Sequence, residues 1–117
     1  MTKILVADPD PRSQQELRAL LTQRGYDLDG AQDVQAALQP LGDGDVDLVL
    51  CDLGLPGGGG MKLLHEVQQL HPETAVVLLS AFGSVQDAVA AMRQGAADFL
   101  GKPFAADQVL EIGRAHV

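Results

Sequence analysis

Five short apolar runs punctuate the chain, at Ile4–Ala7, Tyr26–Ala31, Leu48–Cys51, Ala75–Leu79 and Ala97–Leu100, and each gives way to a stretch in which apolar residues recur at helical spacing. A strand-helix alternation of this kind leaves few architectures open. The first, third and fourth runs are apolar without interruption, the pattern of strands covered by helices on both faces of a parallel sheet. Helices of roughly ten residues supply the right-handed crossovers that parallel neighbours need. The expected product is one α/β domain, a five-stranded parallel sheet in a doubly wound (βα)5 arrangement, occupying residues 1–117.

The helix boundaries carry their own signals. Asp10 is placed to cap a first helix with Pro11 in its first turn, Leu17, Leu20 and Leu21 inward and Gly25 as terminator. A second follows Asp33, with Val34, Ala37, Leu38 and Leu41 inward, and a third runs from about Met61 to Leu70, stopping before Pro72. Ser84 and Asp87 form a capping box for a fourth, whose apolar face is Val85, Ala88, Val89 and Met92 and whose end is Gly95. A fifth begins near Ala106 and runs out at Val117 without a stop signal, which suggests the N-terminal part of a longer protein. Gly57–Gly60 is the one low-complexity stretch and is expected to be a mobile loop.

Bulk properties exclude several functions. A net charge of −8 argues against a nucleic-acid surface on this segment. No apolar run approaches membrane-spanning length, and the opening residues are too few before Asp8 to form a signal peptide. The lone Cys51, in an apolar run, reads as a buried structural thiol and fits a cytoplasmic setting. Asp43, Asp45 and Asp47 start like a calcium loop but lack its glycine and closing glutamate; Gly101-Lys102 lacks the rest of a nucleotide-binding P-loop; His65, His71 and His116 have no ligand spacing.

In an open parallel sheet, ligands bind beyond the carboxyl ends of the strands. The residues that fall there are Asp8 after the first run, Asp52 after the third, Ser80 after the fourth and Lys102 beyond the fifth. Two carboxylates, a hydroxyl and an ammonium at one edge make a set suited to phosphoryl transfer: a nucleophile, a hard-cation ligand and two groups for phosphoryl oxygens. Taken singly, each also reads as an ordinary strand-end residue or cap.

Across nearly its whole length the chain resembles a bacterial response-regulator receiver domain. The matching stretches are Ile4-Leu5-Val6-Ala7-Asp8, Cys51-Asp52-Leu53-Gly54-Leu55-Pro56 with Gly60, Leu78-Leu79-Ser80-Ala81, Gly95-Ala96, and Asp98-Phe99-Leu100-Gly101-Lys102-Pro103-Phe104. The resemblance implies strand order 2-1-3-4-5 and a signalling phosphoacceptor rather than an enzyme with turnover, one that catalyses its own phosphoryl transfer and dephosphorylation. It implies that Asp52 accepts a phosphoryl group from a sensor histidine kinase, that Ser80 and Lys102 contact it, and that Asp8, Asp52 and the Gly54 carbonyl hold Mg2+. It also implies a cis peptide at Lys102-Pro103, a switch coupling Ser80 to Phe99, and an output face of the fourth helix, fifth strand and fifth helix through which homodimers form. Ala81-Phe82-Gly83-Ser84 and Ala88–Arg93 resemble receivers that precede ATPase and DNA-binding modules in transcriptional activators.

One position departs from that pattern. Receivers carry a second acid after the first, a principal metal ligand, where this chain has Pro9. Asp10, next along, reads first as the helix cap and second as a substitute ligand. The expectation is Mg2+ binding weaker than in a typical receiver. Two other readings remain open at this stage: a receiver-like interaction module that works without phosphorylation, and, more remotely, a haloacid-dehalogenase-type phosphatase with Asp8 as nucleophile and Asp10 as acid/base.

Overall fold

The computed structural model describes residues 2–117. Five strands and five helices alternate: β1 (Lys3–Ala7), α1 (Pro11–Thr22), β2 (Asp27–Ala31), α2 (Val34–Gly42), β3 (Leu48–Asp52), α3 (Gly60–Leu70), β4 (Ala75–Ser80), α4 (Val85–Arg93), β5 (Asp98–Gly101) and α5 (Ala106–His116). All neighbouring strands pair in parallel, in the order β2-β1-β3-β4-β5. The expected architecture is therefore the observed one, with small boundary shifts: Tyr26 precedes β2, Ala97 precedes β5, and Asp52 and Ser80 are the last residues of their strands.

Strand side chains alternate between two aliphatic cores. On one face Leu5, Ala7, Val49, Cys51, Val76 and Leu78 pack under α2 and α3 through Ala37, Leu41, Leu63, Leu64 and Val67. On the other, Ile4, Val6, Leu48, Leu50, Val77 and Leu79 meet Leu17 and Leu21 of α1 and Val109 and Ile112 of α5. Covering both faces is what makes β1, β3 and β4 continuously apolar. Strand β2 lies at an edge, and its Asp27 and Asp29 turn towards Lys3, whose Nζ stands 3.4 Å from Asp29.

The caps fall where the residue types place them. Asp10 caps α1, accepting the Arg12 N–H at 3.0 Å, and Asp33 caps α2, accepting the Ala36 N–H at 2.7 Å. Ser84 and Asp87 exchange side-chain bonds with each other's backbone at 3.1 and 3.2 Å, the reciprocal capping box. Gly25 and Gly95 both adopt positive φ just past their helices.

Helix α4 departs from the apolar face read for it. Of that helix only Ala91 is buried, while Val85 is 81%, Val89 43% and Met92 48% exposed, as is Phe82 just before it at 96%. Ala91 alone packs into the core. The larger apolar residues satisfy the same helical period while looking outward, because periodicity fixes a stripe and not which neighbour covers it.

The Gly57–Gly60 run, expected to be slack, is bonded into the fold: Gly59 donates to the Leu55 carbonyl at 2.8 Å and Gly60 to the Leu53 carbonyl at 2.9 Å. A Cβ at Gly60 would stand 2.7 Å from the Asp52 carbonyl oxygen, so glycine here lets α3 start directly against the end of β3.

Candidate functional site

Order 2-1-3-4-5 puts β1 and β3 side by side at the centre, so Asp8 just past β1 and Asp52 at the end of β3 share one rim. Lys102, just past β5, reaches back over that rim. Its ammonium lies 2.6 Å from Asp8 Oδ2 and 2.8 Å from Asp52 Oδ1, so one cation bridges both carboxylates. The Lys102-Pro103 peptide is cis, as expected, and the Lys102 N–H donates to the Ser80 carbonyl at 2.8 Å, fixing the lysine stem beside β4.

Each remaining carboxylate oxygen is also engaged. Asp8, with no solvent exposure at all, accepts the Asp10 N–H on Oδ1 at 2.9 Å. Asp52, partly open to solvent, accepts the Gly54 N–H on Oδ2 at 2.9 Å. Burial of the Lys102 ammonium pulls its pKa down, but the hydrogen bonds and charges of Asp52 and Asp8 outweigh that and the net shift is upward, so it is charged at neutral pH. A buried carboxylate without such a partner would be costly. Cys51, one residue before Asp52, is a different case: burial first, then the two nearby carboxylates, push its thiol pKa well up, and the residue is an inert core thiol as expected.

Ser80 is nearly buried, and its Oγ accepts the Phe82 N–H at 3.2 Å. Phe99 is half-buried next to it across Gly83: a Cβ on that glycine would stand 2.7 Å from Phe99 Cζ and 3.1 Å from Ser80 Cβ. The hydroxyl, the loop and the ring are thus in one packed group.

Asp10 is engaged as a helix cap. Its carboxylate faces α1, with Arg12 N–H on Oδ1 and Ser13 Oγ 3.5 Å from Oδ2, so the capping role is the one adopted. Among the described residues no third acidic, histidine or cysteine side chain joins Asp8 and Asp52 in a metal-sized cluster. The phosphatase reading loses its basis here, since Asp8 is enclosed and hydrogen-bonded on both oxygens and the Asp10 carboxylate is taken up in capping α1. Sequence reasoning missed Gln14, whose carboxamide NH2 shares its two protons among the backbone carbonyls of Val6, Asp8 and Ala31.

With this fold and rim in place, the profile of the response regulator receiver domain family matches residues 4–114. The chain belongs to that family. Among relatives of this receiver domain, the response regulator protein PilR of Pseudomonas aeruginosa is 38% identical over 101 residues, 86% of this chain and 23% of PilR. The luminescence regulatory protein LuxO of Vibrio campbellii is 40% identical over 92 residues, 79% of this chain and 20% of LuxO. The crystal structure of the receiver domain of NtrX from Brucella abortus superposes with a TM-score of 0.90 at 35% identity, covering 97% of this chain and 96% of that one. The receiver domain thus spans about a quarter of the length of these curated relatives. No helix among the described residues is long and apolar enough to cross a membrane.

Proposed function

We propose that this receiver domain is phosphorylated on Asp52 by a sensor histidine kinase and that the resulting aspartyl phosphate switches an output surface. The observation that carries the reading is the Lys102 ammonium bridging Asp8 and Asp52 at the carboxyl edge of the sheet. An Asp52 oxygen attacks the phosphorus of a phosphohistidine; the new P–O bond forms as the P–N bond breaks, and the electron pair leaves with the imidazole. Lys102 faces the growing negative charge, and Ser80, whose Oγ only accepts from Phe82, keeps its hydroxyl proton for a phosphoryl oxygen.

The residues fit Mg2+: two carboxylates and a backbone carbonyl at Gly54 are hard oxygen ligands, and this ion takes few protein ligands alongside water and phosphate oxygens. When bound, it would neutralise charge between Asp8, Asp52 and the phosphoryl group. Pro9 supplies no carboxylate, so its binding is weak.

Drawing Ser80 and Lys102 towards the new oxygens displaces the loop that touches Phe99, and the effect emerges on the face of α4, β5 and α5. The exposed Phe82, Val85, Val89 and Met92 suit that face to homodimer contact. The relatives' greater length and names favour a place within a longer transcriptional regulator, whose DNA contacts lie outside this acidic segment.

Incubation with acetyl phosphate and Mg2+ followed by intact mass measurement tests the proposal. One phosphoryl mass gain, abolished by Asp52→Asn, is expected. No gain refutes it and leaves a receiver that works by protein contact alone; a gain that survives Asp52→Asn refutes Asp52 as the acceptor and places the phosphoryl group on another residue.

A further inference from the structure

We infer that Gln14 is a positioning residue for the phosphoryl-transfer site, a clamp that fixes the backbone carrying Asp8. The inference rests on the phosphoacceptor reading of Asp52. Gln14 lies in the first turns of α1, and its Nε2 is 2.8 Å from the Ala31 carbonyl, 2.9 Å from that of Val6 and 3.2 Å from that of Asp8. One NH2 group therefore ties the ends of β1 and β2 together. Ala31 also accepts the Asp8 N–H at 2.9 Å, so Asp8 is held by its own amide and, through Gln14, by its own carbonyl.

This segment needs a donor from elsewhere. Pro9 and Pro11 carry no N–H, so the single backbone donor between Asp8 and Arg12 is that of Asp10, and it is spent on Asp8 Oδ1. Gln14 supplies the missing donors from one helical turn away.

A second residue is shaped around the clamp. Gly30 on β2 does not have positive φ, so backbone conformation does not demand glycine. Space does: a Cβ at Gly30 would stand 2.9 Å from Gln14 Oε1 and 3.1 Å from an Arg18 guanidinium nitrogen. A free glutamine tip would swing aside cheaply, but this one would have to give up its carbonyl bonds.

Shifting the Asp8 backbone would move the partner of Lys102 and with it Asp52. Gln14→Met keeps the length and removes the donors, while Val67→Ala in α3 serves as a control for stability lost elsewhere. Below their unfolding midpoints, Gln14→Met is expected to slow phosphorylation of Asp52 by acetyl phosphate by about ten- to a hundredfold, and Val67→Ala to leave it unchanged. Exchange protection of the Asp10 amide, followed by NMR, should fall in Gln14→Met and hold in the control. Gly30→Ala should lower the urea midpoint more in the wild-type background than in Gln14→Ala, where only the flexible Arg18 tip is left to displace. Equal behaviour of Gln14→Met and Val67→Ala, or an equal Gly30→Ala effect in both backgrounds, would overturn the clamp. Failure of the wild type to gain mass would instead overturn the phosphoacceptor reading, and the amide and urea measurements would still decide on Gln14.

Discussion

Two aspartates and a lysine meet at the rim, with a proline between Asp8 and Asp10. Proline at position 9 supplies neither a carboxylate nor an N–H, and Asp8 and Asp52 share the Lys102 ammonium. Restoring an acid there gives a direct reading of what was lost. Calorimetric titration of Pro9→Asp should show Mg2+ binding at least about tenfold tighter than in the wild type, a ligand-level effect on a site of few ligands. Equal affinities would mean that Asp8, Asp52 and Gly54 already suffice. At this scale the sequence was informative about identity and silent about engagement. Asp8, Asp52, Ser80 and Lys102 are each legible as residues at strand ends, yet nothing in their spacing says that one lysine bridges both acids. Gln14 was hidden for a related reason: its partners are carbonyl oxygens of β1 and β2, and backbone groups leave no mark on side-chain patterns.

Elements show a similar division. The caps at Asp10, Asp33 and Ser84 are local chemistry and could be placed from residue type alone. The burial of α4 could not, because Val85, Val89 and Met92 keep the helical period of a core stripe while facing away from the sheet. A helix held by little more than Ala91 and its capping box is the part of the fold best able to move without unfolding the rest. Substitution should expose the contrast: Val89→Ser is expected to change the unfolding free energy by no more than about 0.5 kcal/mol, whereas Leu17→Ala in α1 should cost about 2–5 kcal/mol, both read by urea denaturation. A large loss on Val89→Ser would mean that α4 is packed as its sequence first suggested.

For the whole molecule, the two aliphatic cores on either face of the sheet make a cooperative unit with Cys51 at its centre. Its thiol is enclosed and its pKa is raised by burial, so it reacts only when the sheet opens. Labelling by a thiol reagent under native conditions should follow the global unfolding equilibrium, rising with urea in step with loss of helical signal. Fast labelling without denaturant would reveal a local opening of β3. The parallel order was readable from the alternation of runs, but the distance in sequence that the site spans was not. The Lys102–Asp8 contact joins positions 94 residues apart, and β5, which leads into the lysine, is an edge strand and the last of the five in sequence order. While a ribosome is still extending the chain, the aspartates therefore emerge without their counter-ion, and a domain trimmed before β5 would carry the acceptor but not the means to use it. If Asp52 is the acceptor proposed above, competence to receive a signal is in this way conferred by the last strand of the sheet, so that only a completed domain can be switched on.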